Sequence, residues 1–167
     1  MTTTTKHTIS TPVGNISIEA SSDAINAVLF VKKDEVEAMP VSKKSDHPLI
    51  QQCIDQLNEY FEGSRKTFDI PLQQEGTPFQ QKVWAQLLNI GYGKTISYLT
   101  LSKQIGDTKA IRAVGTTNGK NQIAIIVPCH RVIGSDGSLT GYAGELWRKK
   151  WLLDHEGKFA NGVQTLF

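Results

Sequence analysis

The sequence has few cysteines and no long apolar run. Only two of its 167 residues are cysteines, Cys53 and Cys129, which excludes the disulfide framework of a small secreted domain. No apolar stretch approaches the roughly 18 residues that a membrane-spanning helix needs, and residues 1–6 lack the apolar centre of a signal peptide. We therefore expect a cytoplasmic protein that keeps both thiols reduced and makes no contact with a membrane.

Ligands for a structural metal are also scarce in the first half of the chain. Residues 1–76 contain Cys53, His7 and His47, and their spacing matches no zinc-binding pattern. Cys53 instead falls at helical spacing among apolar residues between positions 49 and 61, which is typical of a core residue. The sequence predicts no metal site, and packing alone should hold this half together.

Charge is distributed unevenly along the chain. Residues 1–76 contain 7 Lys+Arg against 11 Asp+Glu, whereas residues 77–167 contain 11 against 5, giving net charges of −4 and +6. A basic second half indicates contact with a polyanion such as nucleic acid. The alternative is a solvated surface with an accidental bias, and charge alone does not decide between the two.

The first 76 residues have the pattern of strands followed by one helix. Alternation at 9–10 and 15–20, with a turn at 12–14, predicts a hairpin, and 27–31 predicts a third strand. Residues 32–44 are charged and aperiodic, so we expect an exposed loop there. A helix is predicted from Pro48 to Phe61 with Gly63 ending it, followed by an extended piece at 68–72 and a linker at 73–76.

The remaining residues have the pattern of a winged helix-turn-helix. Thr77, Pro78 and Gln80 predict a capped helix start, and a stripe of Phe79, Val83, Trp84 and Leu87 should pack in the core. Helical patterns at 100–105 and 108–117, separated by Gly106-Asp107, form the helix-turn-helix. Residues 134–137 predict a turn between two extended arms. A last helix, at 145–155, should be packed by Leu146, Trp147, Trp151 and Leu152.

Cys129 stands out within the motif Val-Pro-Cys-His-Arg-Val at residues 127–132. The apolar run 123–127 predicts a buried strand, and its end at Pro128 should place the thiol at the rim of a core. His130 and Arg131 are groups that can favour a thiolate, which is the nucleophilic form. Neighbouring side chains of an extended backbone point to opposite faces, so we expect a water between Cys129 and His130. A Cys-His pair alone would more often be an inert buried cysteine.

Several further motifs decide the question in favour of reactivity. They are Thr77-Pro78-Phe79-Gln80, Val83-Trp84, Thr95-Ile96-Ser97-Tyr98, Arg112-Ala113-Val114-Gly115, Asn121, the Cys129 motif and Leu152-Leu153-Asp154-His155-Glu156-Gly157. In this order they resemble the O6-alkylguanine-DNA alkyltransferases, or methylated-DNA-protein-cysteine methyltransferases. The resemblance covers nearly the whole chain and is looser before residue 77. It implies an α+β protein with an N-terminal ribonuclease-H-like α/β domain at 1–76 and a C-terminal winged helix-turn-helix domain at 77–167.

The resemblance also implies a reaction and a partner. Members of this family transfer the alkyl group of O6-alkylguanine in DNA to a cysteine, here Cys129. A thioether has no easy leaving path, so the protein should act once, irreversibly and without a cofactor. Its partner should be double-stranded DNA containing alkylated guanine, and the free protein should be a monomer.

The same resemblance assigns roles around the thiol. His130 should act as a base through water, Glu156 should fix and charge the imidazole, and Asn121 should tie the helix-turn-helix to the active-site segment. From the residues alone, the favoured alternatives are that Glu156 only caps or bridges at a helix end and that Asn121 only shapes a turn.

On the DNA-binding side, Arg112 resembles the family's intercalating arginine, and Tyr98 resembles the tyrosine that rotates a phosphate and donates a proton toward the base. The small residues Ala110, Ala113 and Gly115 permit close approach to the minor groove. Tyr142 and Ala143 resemble the loop that closes the pocket, and we place Arg131 with these substrate-binding residues. The alternatives are that Arg112 contacts a backbone phosphate and that Tyr98 is a core residue.

The chain departs from the family pattern at three positions. Ala143 stands where many relatives have serine, which removes one hydrogen bond to the base. Gln122 and Ala124 stand where the family often has proline. Losing two rigid rings predicts a softer or wider pocket wall that tolerates bulkier O6-alkyl groups, or O4-methylthymine, better than proline-bearing relatives do.

Two rival functions remain to be weighed. An alkyltransferase-like damage sensor would bind alkylated DNA without transfer, but such proteins replace the cysteine, and Cys129 is present. A Cys-His-Glu hydrolase would turn over many times, and the sequence contains no hydrolase motif.

Overall fold

The computed structural model describes residues 3–32 and 41–161, so most of the loop expected at 32–44 lies outside the described residues. The chain forms two compact units, one of Met1–Gln74 with Gln122–Ala124 and one of Glu75–Asn121 with Ile125–Phe167. The first unit ends two residues before the predicted boundary after residue 76 and also includes three residues from far along the sequence.

The first unit is built on a three-stranded antiparallel sheet. Its strands are β1 (Thr5–Thr11), β2 (Gly14–Ala20) and β3 (Ile25–Phe30), in the order β1-β2-β3. Gly14, with φ of 96°, closes the tight turn between β1 and β2. The pairing register places Ile9 opposite Ile16, and both side chains are buried.

Helix α1 (Pro48–Glu62) packs on this sheet. The ring of His47 accepts a hydrogen bond from the backbone N–H of Ile50, and Pro48 occupies the first turn. Gly63, with φ of 90°, ends the helix in the left-handed conformation, as the sequence predicts. The buried face of α1 includes Cys53, which is a core residue as expected.

The segment Gln122–Ala124 pairs with β3. The N–H of Val28 donates to Gln122 O at 2.8 Å, and the N–H of Ala124 donates to Val28 O at 3.0 Å. The strand predicted at 123–127 is therefore wrong beyond this point, because Ile123 makes a single bridge and the chain then turns through Ile125 at φ of 72°. That conformation is unfavourable for a β-branched residue and is retained here with the side chain buried. The apolar composition of residues 123–127 therefore predicts that they are buried, but not which conformation their backbone adopts.

The second unit begins with α2 (Pro78–Leu87), whose start has the predicted capping box. The N–H of Gln80 donates to Thr77 Oγ1 at 3.1 Å, and Gln80 Oε1 accepts from the N–H of Thr77 at 2.9 Å. Val83, Trp84 and Leu87 are buried. Next come α3 (Tyr98–Gln104) and α4 (Ile111–Gly119), with Gly106 at φ of 88° between them. This is the expected helix-turn-helix, with α3 starting two residues before and α4 three residues after the predicted starts.

The predicted wing is present only in part. β5 (Val132–Ile133) pairs in parallel with β4 (Ile96–Ser97), and the turn at 134–137 closes with Gly137 N–H donating to Gly134 O at 2.9 Å. Within the described part of the chain, no strand follows this turn, so the second arm does not pair in a sheet. None of the described helices is long and apolar enough to cross a membrane.

The last helix, α5 (Leu146–Asn161), extends beyond its predicted end. Leu152 packs inside as expected, but Leu146 and Trp147 are 49% and 48% exposed, so their predicted packing is wrong. The Trp147 side chain instead makes its polar contacts at the surface. Its indole N–H donates to the Glu145 carboxylate at 2.9 Å, and the Arg148 guanidinium lies over its ring.

Candidate active site

Cys129 begins a single-turn 3-10 helix, Cys129–Arg131, and is 6% exposed. Two amide side chains hold it. Asn121 Nδ2 lies 3.3 Å from Cys129 Sγ and donates to Val127 O at 2.8 Å, whereas Asn118 Nδ2 donates to Cys129 O at 3.2 Å. Asn121 thus contacts the thiol itself, and the sulfur is fixed relative to the C-terminal end of the helix-turn-helix.

Glu156, on α5, joins His130 and Arg131 in one buried network. His130 Nε2 lies 2.6 Å from Glu156 Oε2, and Arg131 Nε donates to Glu156 Oε1 at 2.8 Å. Arg131 Nη1 also donates to Ile90 O at 2.6 Å. The structure places Arg131, which we grouped with the substrate-binding residues, in the interior against Glu156, where its charge stabilises the carboxylate.

The network fixes which nitrogen of His130 carries a proton. Burial raises the pKa of Glu156, but His130 and Arg131 oppose it and hold the pKa well below its usual value, so the group is a carboxylate that can only accept. Burial lowers the pKa of His130 against the pull of Glu156, so the ring is neutral at neutral pH and donates from Nε2. Nδ1 is then the basic nitrogen, and it is buried without a hydrogen-bond partner among residues 3–32 and 41–161.

The thiol itself rests in its protonated form. Burial raises the pKa of Cys129, while the hydrogen bond from Asn121 and the charge of Lys149 lower it in part. Burial therefore outweighs the groups that lower the pKa of Cys129, and a role for His130 and Arg131 in favouring the thiolate stays a prediction. A base must remove the proton during the reaction.

Lys149 and Asn118 are two residues of this site that the sequence analysis missed. Lys149 is fully buried, and its Nζ donates to Val132 O at 2.7 Å and to Thr140 O at 2.8 Å. Burial lowers the pKa of Lys149 to about 8. The sequence contained one indication of this role. Lys149 lies three residues before Leu152 and so on the apolar face of α5, where a buried charge needs hydrogen-bond partners.

The residues expected to face DNA lie on α3 and α4. Arg112 and Ala113 are exposed on α4, and Ala110 stands at the N-cap of this helix without a side-chain cap. Tyr98, at the start of α3, is partly exposed and donates through its hydroxyl to Thr140 O at 3.3 Å. A Cβ atom added at Gly115 would meet the Tyr98 ring at 3.8 Å, an ordinary contact, so packing alone does not require glycine there.

The loop proposed to close the pocket lies just before α5. Ala143 is exposed, whereas burial raises the pKa of the Tyr142 hydroxyl, and Cys129 raises it further. The loop leads into Glu145, which has a φ of 75°. Within the described residues, no group of three or more His, Cys, Asp or Glu side chains is placed to hold a metal ion.

Comparison with known families matches both halves of the chain. Residues 5–74 match the "6-O-methylguanine DNA methyltransferase, ribonuclease-like domain" and residues 78–158 match the "6-O-methylguanine DNA methyltransferase, DNA binding domain". The chain belongs to the 6-O-methylguanine DNA methyltransferase family. The predicted family and the α+β fold class, with a ribonuclease-like domain before a DNA-binding domain, are confirmed.

Individual relatives agree with this assignment. The constitutive methylated-DNA-protein-cysteine methyltransferase of Bacillus subtilis is 45% identical over 82% of this chain and 85% of its own. The Mycobacterium bovis methylated-DNA-protein-cysteine methyltransferase is 44% identical over 96% of each chain. A solved structure, Mycobacterium tuberculosis OGT in complex with DNA, superposes with a TM-score of 0.81 at 41% identity and covers 92% of this chain and 93% of its own.

Proposed function

We propose that this protein repairs DNA by moving the alkyl group of O6-alkylguanine to Cys129 Sγ, once per molecule and irreversibly. The observation that carries the proposal is the arrangement of a buried thiol, held by Asn121, next to a neutral histidine oriented by Glu156. The relatives named as methylated-DNA-protein-cysteine methyltransferases support the reaction class.

The residues divide the chemistry between them. The sulfur attacks the alkyl carbon, a carbon–sulfur bond forms and the bond from that carbon to O6 breaks. The thiol proton passes through a water to His130 Nδ1, whose basicity Glu156 supports. Tyr98 supplies a proton toward the base so that guanine departs without a full negative charge. The thioether has no leaving path, so the product stays on Cys129.

A base inside a duplex must leave the stack before it can reach Cys129, which costs a few kcal/mol. We assign Arg112 to the vacated position and assign the small residues Ala110, Ala113 and Gly115 to close approach in the minor groove. Tyr142 and Ala143 then cover the flipped base. The partner is double-stranded DNA containing alkylated guanine, the free protein acts as a monomer, and the cytoplasm is the expected location.

The damage-sensor alternative is not favoured. A sensor needs no nucleophile, whereas here Asn121 Nδ2 lies against the sulfur and Glu156 orients the adjacent imidazole. A hydrolase would release its product and turn over repeatedly. One hydrolase molecule would therefore process many substrates, whereas one alkyltransferase molecule would accept a single alkyl group.

The decisive experiment measures the intact mass of the protein after incubation with duplex DNA containing O6-methylguanine. We expect one added methyl group per chain, mapped to Cys129, in the wild type and in the matched control Cys53→Ala. Cys129→Ser should gain none while still binding DNA, because an alcohol is far less ionised than a thiol. Continued turnover, or a methyl group on Cys53, would contradict the proposal.

A second prediction tests the base. His130→Ala should slow methyl transfer strongly at neutral pH, and the deficit should narrow as the pH rises and the thiol ionises without help. Single-turnover rates across a pH series measure this. A deficit that stays constant over the whole series would mean that His130 acts only through the fold.

A further inference from the structure

Arg148 is a charged residue whose side chain is mostly buried. It lies in the first turn of α5, and its side chain is 13% exposed. The carboxylate with which it pairs, that of Glu145, is 3.9 Å away on a side chain that is 69% exposed, and such a pair contributes little to stability. A buried guanidinium needs hydrogen-bond partners, so this ion pair alone does not explain why Arg148 is withdrawn from water.

Two further contacts of Arg148 lie at the closing loop, which we define as residues 142–145, and at the start of α5. Its Nη1 donates to Gly144 O at 3.0 Å, and its guanidinium carbon lies over the Trp147 ring, 4.6 Å from the centroid. The Trp147 indole N–H donates in turn to the Glu145 carboxylate at 2.9 Å. Together these contacts hold the guanidinium against the end of the closing loop.

Glu145 gives the closing loop a backbone conformation that needs support. Its φ is 75°, in the left-handed region that residues other than glycine seldom adopt, and such residues persist only where their surroundings hold them. The peptide group before Glu145 is fixed on both sides. Its N–H donates to Tyr142 O at 3.0 Å, and its carbonyl, Gly144 O, accepts from Arg148. Without Arg148, one of these two restraints would be lost.

The closing loop also reaches the reactive thiol. Burial raises the pKa of the Tyr142 hydroxyl, Cys129 raises it further, and the charge of Arg148 opposes both. The hydroxyl therefore lies within electrostatic reach of the nucleophile and of the guanidinium. We propose that Arg148 is a positioning residue, which keeps the closing loop over the bound base by fixing the peptide group before Glu145. This inference rests on the proposed function, since a closed loop matters to the reaction only when a base is bound under it.

The first test measures how readily the closing loop opens, without using a substrate. A glutamate-specific protease cleaves after Glu145 when the loop is released, and the fragment masses identify the cut. Arg148→Met keeps the length of the side chain but loses a hydrogen bond from a charged group, so the initial rate of this cut should rise about tenfold. Lys150→Met removes a neighbouring charge whose side chain is 44% exposed, and it should leave the rate unchanged. Equal rates in the two variants overturn the proposal.

A second cut in the same digest separates the loop from the fold. Glu156 is fully buried on α5, so an initial cut after Glu156 reports unfolding of the helix. In Arg148→Met, we expect the cut after Glu145 to accelerate much more than the cut after Glu156. If both accelerate equally, Arg148 only stabilises the start of α5 and the proposal is wrong.

The second test asks whether the closing loop acts on the bound base. Single-turnover alkyl transfer from free O6-benzylguanine is measured over a range of concentrations, which separates the half-saturation concentration from the limiting rate. Arg148→Met should raise the half-saturation concentration about tenfold and lower the limiting rate less, because the loop no longer holds the base. Arg148→Lys keeps a donor for Gly144 O and should restore part of the loss.

The remaining outcomes distinguish a wrong role for Arg148 from a wrong function. If only the limiting rate or the fraction of protein that reacts falls in Arg148→Met, the residue does not hold the base and the proposal is wrong. If the wild type transfers no alkyl group from free O6-benzylguanine or from duplex O6-methylguanine, the proposed function is wrong. The protease digest would still show whether Arg148 holds the closing loop.

Discussion

Glu156 is the residue on which the protonation of the site depends. Its two oxygens accept from His130 and Arg131, and none of the three side chains is more than 7% exposed. A buried charge network of this kind contributes little as a whole but is expensive to break, because removing one member leaves the others buried and unpaired. The network orients the histidine ring while Arg131 keeps the carboxylate ionised.

Glu156→Gln should therefore destabilise the protein at neutral pH by about 3–5 kcal/mol. The pKa of Glu156 is held below its ordinary value of 4.5 in the folded state, so its contribution is present above pH 4.5 and is lost as the pH falls below that value. The difference in unfolding free energy between wild type and variant should shrink in acid. Urea unfolding from neutral pH to well below pH 4.5 measures it.

Asp154→Asn provides the matched control on the same helix. Its distance to Lys150 Nζ, 2.6 Å, equals the distance between Glu156 and His130, but the lysine side chain is 44% exposed. The expected loss is below about 1 kcal/mol, because solvent screens such a pair. Equal losses in the two variants would show that burial of the Glu156 network is energetically unimportant.

Helix α4 carries two kinds of residue on opposite faces. Val114, Thr117 and Asn118 are buried, whereas Arg112, Ala113 and Thr116 are exposed. The Thr116 hydroxyl donates back to Arg112 O at 3.0 Å, which satisfies it within the helix. Arg112 is therefore the charged side chain on the exposed face of α4.

Arg112→Ala should slow repair of duplex O6-methylguanine strongly and spare the reaction with free O6-benzylguanine. The reason is that a side chain filling the vacated stack matters only when a base must be flipped. A weakly paired target site should restore part of the rate. Comparing the three rates on one preparation measures this, and an equal fall in the free-base reaction would show that Arg112 supports the fold or the thiol instead.

Lys109→Ala is the control for a plain phosphate contact. It is exposed just before α4 and should weaken binding to all duplexes similarly, lowering the salt slope by roughly one unit. If Arg112→Ala produced the same pattern, the intercalating role would be wrong.

Elements with local signals were predicted well from the sequence. The capping box of α2, Pro48 and Gly63 of α1 and the Gly14 turn each depend on contacts within a few residues. The path of residues 123–127 was not predictable, because it depends on pairing with β3, almost 100 residues earlier. The same pairing bears on one of the missing prolines, because proline at 124 would remove the N–H that donates to Val28 O.

The candidate site was predicted in its parts more than in its arrangement. The family resemblance supplied Cys129, His130, Asn121 and Glu156, and the structure brings these four together. Burial of Arg131 and Lys149, and the raised pKa of the thiol, follow from long-range packing of α5. No local pattern reports how completely a polar side chain is desolvated.

At the scale of the whole molecule, cleaving the chain at one position cannot separate the two units, because the first unit includes residues from two parts of the sequence. A fragment starting at Glu75 retains Gln122–Ala124 but lacks β3, so Ile123 loses its cover and two backbone hydrogen bonds are lost. We expect this fragment to be less soluble than the full chain and to show altered Cys129 reactivity toward a small disulfide. Ile123→Ser should improve its solubility, whereas a fully soluble fragment with unchanged reactivity would contradict this.

The complete burial of Cys53 gives the first unit a natural reporter. Burial raises the pKa of this thiol to about 12, so in the folded protein it is both inaccessible and un-ionised. A brief pulse of alkylating reagent during denaturant or thermal unfolding would therefore label Cys53 only in molecules whose first unit has opened. Peptide mapping of Cys53 after each pulse would report the opening of the first unit without any engineered probe.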